Sequence, residues 1–169
     1  MSEPDAPGMP VSAGPSGPTE AIELDEVDKA VIRALQTDGR VPYSKLGPTV
    51  GLSQAAVRQR VQRLIDRGVM QVVAVTDPAM LGLGLQAMVG VRVEGDTRVV
   101  ADAIAESVDV DYVVITAGRY DILVEVVAPD AAHLLELVTV SIRGVHGVVS
   151  TEILTYLKLV KQTYAWGTH

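Results

Sequence analysis

The chain has 169 residues, of which 48% are hydrophobic and 21% charged, and a formal net charge of −7; that is the composition of one ordinary globular domain or two small ones, with enough apolar material for a packed core. Cysteine and phenylalanine are both absent, which excludes a disulfide framework and a thiolate metal centre and leaves the core to Val, Leu, Ile, Ala and Met. The longest apolar stretch, residues 80–91, is interrupted by Gly82, Gly84 and Gln86, short of the roughly 20 residues a membrane helix needs.

Residues 1–22 carry five of the nine prolines and no apolar period, so a disordered tail is expected. The run Met1-Ser2-Glu3-Pro4-Asp5 has neither a positive n-region nor an apolar h-region, and the expected location is the cytoplasm. From residue 24 the pattern turns helical. Asp25 is an N-cap, Glu26 and Asp28 put negative charge in the first turn, and Val27, Val31, Ile32 and Leu35 follow the 3.6-residue period. Gly39 closes this helix. A second helix is expected over 44–50, capped by Ser44, then a tight turn at Gly51-Leu52-Ser53. Ser53 caps a third helix that runs to about Arg67 and is stopped by Gly68. Valine-rich residues 69–76 read as a strand, completing a domain over 23–76, and 77–85 as a linker.

The rest alternates between the two periods. Strands are expected at 86–93, 111–116, 121–127 and 148–157, and helices at 98–107 and, capped by Asp130, at 130–142. The order β-α-β-β-α-β is the ferredoxin-like split arrangement, over 86–160, with 161–169 a C-terminal tail. The fold class is α+β.

The chemistry concentrates in the third helix. Residues 40–67 hold six bases against the single acid Asp66, in a chain that is acidic elsewhere. On a wheel with Val57 at zero, Val61, Leu64 and Ile65 form one stripe, while Gln59, Gln62, Arg63 and Asp66 lie opposite. Arg58 and Arg67 lie on the flanks, and Arg60 sits nearer the apolar edge. Gln and Arg are the side chains that read adenine and guanine edges bidentately in the major groove, and Arg and Lys supply phosphate contacts. A solvated helix face usually mixes signs, whereas residues 54–67 set four arginines against the single acid Asp66. The helix-turn-helix spacing makes double-stranded DNA the expected partner. Gln54, Ala55, Arg58, Gln59, Gln62 and Arg63 are assigned to the groove side, Arg40, Lys45, Arg60 and Arg67 to phosphates or local ion pairs, and Ser53 is counted with the DNA-binding residues.

Several motifs carry a resemblance: Leu24-Asp25-x-x-Asp28, Leu35-Gln36-x-Asp38-Gly39-Arg40, Val50-Gly51-Leu52-Ser53, Val57-x-x-Arg60-Val61-x-x-Leu64, Gly68-Val69-Met70 and Gly118-Arg119-Tyr120-Asp121. In this order over residues 24–160 the chain resembles the Lrp/AsnC family of bacterial and archaeal regulators. The resemblance implies an N-terminal winged helix-turn-helix, a C-terminal ferredoxin-like effector domain, dimers through the C-terminal sheets that often assemble into octamers, and an amino acid or related small molecule as effector. One departure is Leu46-Gly47-Pro48-Thr49, where the family has a regular helix; a short, distorted second helix is expected.

Residues Thr116, Ala117, Gly118, Arg119, Tyr120 and Asp121 join two central strands. Gly118 suits a positive φ, exposed N–H groups suit a carboxylate, and Asp121 suits an ammonium. A plain hairpin turn accounts for the same residues; the resemblance adds a pocket between subunits, lined by these residues and by Thr151 and Ile153.

No enzyme signature is present. His133, His146 and His169 have no partners at ligand spacing, so no metal or cofactor is expected. There is no nucleophile elbow and no phosphate loop. The alternative is an enzyme on the same fold, resembling sirohaem decarboxylases, with a helix-turn-helix that does not bind DNA. Such an enzyme has no reason to keep Arg58, Gln59, Gln62 and Arg63 on one exposed face.

Overall fold

The computed structural model describes residues 22–163; the N-terminal tail, apart from Ile22, and residues 164–169 of the C-terminal tail lie outside them. The described residues divide into two units, one made of the residues up to Ala74 together with Thr163 and one spanning Val75–Gln162.

The first unit holds three helices: α1 (Glu26–Thr37), α2 (Tyr43–Thr49) and α3 (Gln54–Asp66). The expected caps are in place. The Asp25 carboxylate accepts from the Asp28 N–H at 2.7 Å and the Ser53 hydroxyl from the Ala56 N–H at 3.2 Å, each satisfying a first-turn donor that has no partner within its helix. Gly68, at φ +68°, ends α3 in the left-handed conformation that favours glycine. One apolar stripe from each helix meets in a core of Val31, Ile32, Leu46, Val57, Val61 and Leu64.

Helix α2 is short, as its sequence implies, but it starts one residue early. Pro42, not Ser44, occupies the N-cap, and Pro48 lies inside the helix near its end. Gly47 is a requirement of the packing rather than a defect. A Cβ there would sit 2.5 Å from the Leu52 carbonyl oxygen, and the Gly47 carbonyl accepts from the Leu52 N–H at 2.9 Å. The bare backbone lets the turn fold tightly onto α2 and so sets where α3 begins.

Residues 69–76 form no strand, which corrects the expected wing. All four strands of the described residues belong to the other unit, so this valine-rich run has no ladder partner and cannot satisfy its backbone as a sheet. Val72, Val73 and Val75 are exposed.

The second unit opens with a single 3₁₀ turn, Pro78–Leu81, capped by Asp77, inside the expected linker. Then follow β1 (Leu85–Val93), α4 (Thr97–Ala105), β2 (Val110–Ile115), β3 (Ile122–Ala128), α5 (Ala131–Leu137) and β4 (Val148–Thr155). The sheet order is β2-β3-β1-β4, every neighbouring pair antiparallel. This is the expected βαββαβ arrangement. Strand β3 alternates strictly, with Ile122, Val124, Val126 and Ala128 buried. With Ala87, Val89 and Val91 of β1 these pack against Val100 and Ile104 of α4 and Leu134 and Leu137 of α5. Asp130 caps α5 as expected, accepting from the His133 N–H at 2.9 Å. The single helix expected over 130–142 is divided: after Leu137 it widens into a π turn, Val138–Ile142, closed by the Arg143 N–H on the Val138 carbonyl at 2.8 Å.

Candidate functional site

Helix α3 presents the expected face. Gln54, Ala55, Arg58, Gln59 and Gln62 line one shallow, open concavity, and all five are exposed. Ser53 stands at its edge with its hydroxyl committed to the cap. The Gln62 amide donates to Asp66 at 2.7 Å, which steadies it one turn along the helix. Arg67 follows the helix as its C-cap. Lys45 on α2 and Arg40 before it are both exposed. The concavity therefore gathers one arginine and three glutamines that can donate to base edges and phosphates, whereas Arg67 lines a separate recess beside Asp25 and Asp28.

The three arginines of α3 are not equivalent. Arg60 turns inward and donates to Asp25 at 2.6 Å and to Asp28 at 2.7 Å. Its hydrogen bonds to Asp25, first, and to Asp28, second, hold its guanidinium above its usual basicity. Arg63, expected among the groove residues, also turns back, donating to both Asp28 oxygens at 2.7 and 2.9 Å. Its long side chain can reach the α1 side of the helix, where a buried carboxylate waits; the wheel places a Cα and not a guanidinium. Asp28 side-chain exposure is 4%, and it is the buried charged residue among those described. Asp25 serves twice, its Oδ1 capping α1 and its Oδ2 receiving Arg60; the cap first and Arg60 second hold its carboxyl below the usual carboxylate range. From the sequence, Asp25 is expected only as an N-cap and Asp28 only as a helix-dipole charge, with no arginine partner for either. Two acids three residues apart, opposite two arginines three apart, was the available signal.

The hairpin at 116–121 departs from the expected geometry at Gly118 and Asp121. Gly118 is absent from the glycines with positive φ. Asp121 is used by the fold: its Oδ2 accepts from the Val93 N–H at 2.8 Å, where the β1–β4 register shifts between Arg92 and Val93. Its own N–H donates to the Val91 carbonyl and its carbonyl accepts from the Thr116 N–H, both at 2.9 Å. The Thr116 hydroxyl closes the turn on the Tyr120 carbonyl at 2.6 Å. Ala117, Gly118 and Arg119 are exposed.

Tyr120 lies flat over Gly90 of β1. A Cβ on Gly90 would meet the ring at 2.7 Å, so only glycine admits it. The phenol donates to the Glu152 carboxylate on β4, and that bond first, burial second, raises its pKa. The Arg119 guanidinium is 3.1 Å from the same carboxylate and 5.4 Å from the Tyr120 ring centre. Glu152 pairs with Gly90 in the ladder, whereas Thr151 and Ile153 pair with the buried Val91 and Val89. Opposed residues share a face, so Thr151 and Ile153 point to the helix-covered side and Glu152 joins the hairpin. Thr151 instead accepts from Arg143 at 2.7 Å. The period of two along β4 was the signal that would have selected Glu152.

At the other end of β2 and β3 lies a half-open recess of about 410 Å³, walled by Leu83, Val108, Val127, Leu137 and Val140. Among the described residues no group of three or more His, Asp or Glu is arranged to hold a metal, and no helix is long and apolar enough to cross a membrane.

A helix-turn-helix with an exposed Arg- and Gln-bearing helix, followed by a βαββαβ unit, defines a class: DNA-binding transcription regulators with a separate ligand-binding domain. Comparison with known proteins narrows it. Residues 24–65 match the AsnC-type helix-turn-helix domain and residues 86–166 the Lrp/AsnC ligand binding domain. The chain is 32% identical over 146 residues, 85% of its length and 92% of the relative's, to an HTH-type transcriptional regulator of Pyrococcus horikoshii. It is 32% identical over 145 residues to the HTH-type transcriptional regulator AldR of Mycobacterium tuberculosis, covering 83% of this chain and 81% of AldR. Among solved structures, a transcriptional regulator of Neisseria meningitidis in complex with L-Met superposes with a TM-score of 0.76 at 27% identity, over 84% of this chain and 95% of that one. The chain belongs to the Lrp/AsnC family of transcriptional regulators.

Proposed function

We infer that this regulator binds an operator sequence through α3 and that an amino-acid effector on the second unit modulates its oligomeric state or its affinity for DNA. The observation that carries the DNA side is the concavity of Gln54, Ala55, Arg58, Gln59 and Gln62; Arg58 is the arginine of that face, and no acid among the described residues engages it. In vitro selection of bound duplexes, with and without a panel of amino acids, tests both units at once. Arg58→Ala should weaken the selected operator about tenfold or more, the cost of one bidentate base contact, and relax selection at one position. Unchanged affinity would sink the assignment.

Support for an amino-acid effector comes from the relative bound to L-Met. The contact is assigned to the outer edge of the 116–121 hairpin. Arg119 suits the ligand carboxylate and Glu152 its ammonium; their own pair is exposed and open to exchange. One amino acid of the panel should then raise the thermal midpoint, and Arg119→Ala should abolish that rise. Asp121→Ala should instead loosen the hairpin with or without ligand.

The sheet face that carries Tyr112 and Leu154 is the proposed dimer surface, since both are large, apolar and exposed. In this reading the chain acts by binding and carries out no chemistry. Turnover of a tetrapyrrole carboxylate by the purified protein would overturn that.

A further inference from the structure

We propose that Asp28 is a positioning residue for DNA recognition: it clamps Arg60 and Arg63 against α1, fixing α3 in one rotational setting and withholding two of its three arginines from the phosphate backbone. This rests on the DNA-binding reading above and adds how specificity is set. The case is geometric. Asp28 is buried in α1, and its carboxylate takes Arg60 through Oδ1 at 2.7 Å and Arg63 through both oxygens at 2.7 and 2.9 Å. Asp25, one turn earlier, takes Arg60 again at 2.6 Å. Arg60 and Arg63 lie one turn apart on α3, so two acids and two arginines form a closed ladder between the helices. Arg60 is two residues from Arg58 and one from Gln59, and Arg63 is one from Gln62. Any rotation of α3 that moved the groove-facing side chains would have to break this ladder.

The same ladder has an electrostatic effect. Non-specific affinity for DNA comes almost wholly from free cations meeting phosphates, each steepening the salt dependence by about one unit. Two arginines neutralised at the helix–helix contact add nothing to that term. The acids of α1 therefore lower binding to every duplex alike, while Arg58 and the glutamines keep their hold on the right one.

The test measures the full-length protein on its selected operator and on a scrambled duplex across a potassium chloride series. Wild type and Arg63→Gln should share one salt slope, because Arg63 is not on a phosphate, with Arg63→Gln binding the operator more weakly. Asp28→Asn should steepen the slope by about one unit per protomer and narrow the operator-to-scrambled ratio about tenfold. Adding Arg63→Gln to Asp28→Asn should bring the slope back. If Arg63→Gln alone flattens the slope by a unit, Arg63 meets a phosphate and the proposal fails. It also fails if Asp28→Asn lowers the thermal midpoint but leaves slope and ratio untouched, as a purely structural role would. Should Asp28→Asn not fold, Arg63→Gln, whose side chain is 44% exposed, decides alone. A wild-type protein that selects no duplex overturns the DNA-binding reading itself, and this inference with it.

Discussion

At the scale of single residues, the second unit turns on one stacked pair. Tyr120 reaches back some thirty residues to cover Gly90, and no local pattern announces that contact. Gly90→Ala should push the ring off the sheet, loosen the Tyr120–Glu152 bond and cost about 1–3 kcal/mol, the usual penalty for overpacking, read from the denaturant midpoint. A second phenol offers a pH test. Tyr156 donates to Glu125 at 3.0 Å, and burial first, Glu125 second, pushes its pKa up to about 12. A raised folded-state value favours the neutral form, so its contribution to stability is full below the ordinary value of 10.0 and is lost as the pH climbs towards about 12. Alkaline absorbance titration should show Tyr120 and Tyr156 both ionising late, Tyr156 towards about 12, and Glu125→Gln should move Tyr156 part of the way back.

At the scale of elements, α2 joins two opposed glycine and proline effects within two positions. Gly47→Ala should destabilise the first unit by about 1–3 kcal/mol, because a Cβ would press on the Leu52 carbonyl and backbone has to give way. Pro48→Ala should raise the thermal midpoint, since alanine restores a helical N–H that proline lacks. Measured together by calorimetry, the two substitutions should move in opposite directions. What was legible at this scale was local. Asp25, Ser53 and Asp130 cap their helices as their types and positions imply, Gly68 ends α3, and the two hydrophobic periods place six elements in βαββαβ order. What was not legible depended on a partner distant in sequence. The valine-rich run at 69–76 has strand composition but no strand beside it. Arg63 leaves its wheel position for a carboxylate 35 residues away. The π turn after Leu137 has no compositional mark, and Glu152 rather than Thr151 meets the hairpin because of ladder register.

At the scale of the molecule, charge and surface are divided between the units. Six bases with one acid occupy residues 40–67, whereas residues 76–169 hold twelve acids and six bases. DNA affinity should therefore fall steeply with salt, while effector binding, with one charge of each sign, should change little. The sheet face of the second unit supplies the matching prediction for assembly. Tyr112→Glu with Leu154→Glu should convert oligomer to monomer in light scattering without unfolding, because both side chains are already exposed in the single chain; an unchanged mass would move the interface elsewhere.

The segment that failed to become a strand has a consequence in time. No backbone hydrogen bond holds residues 70–76 among the described residues, while each unit has its own buried cluster on either side. Amide protons there should exchange with solvent orders of magnitude faster than those of β1 or β3. A protease offered the native protein should cut there first and release two fragments that both stay folded. Binding of DNA by the first fragment and of effector by the second would then be measurable separately; the factor by which effector changes DNA affinity in the intact chain is the coupling between the two sites, and cleavage should abolish it.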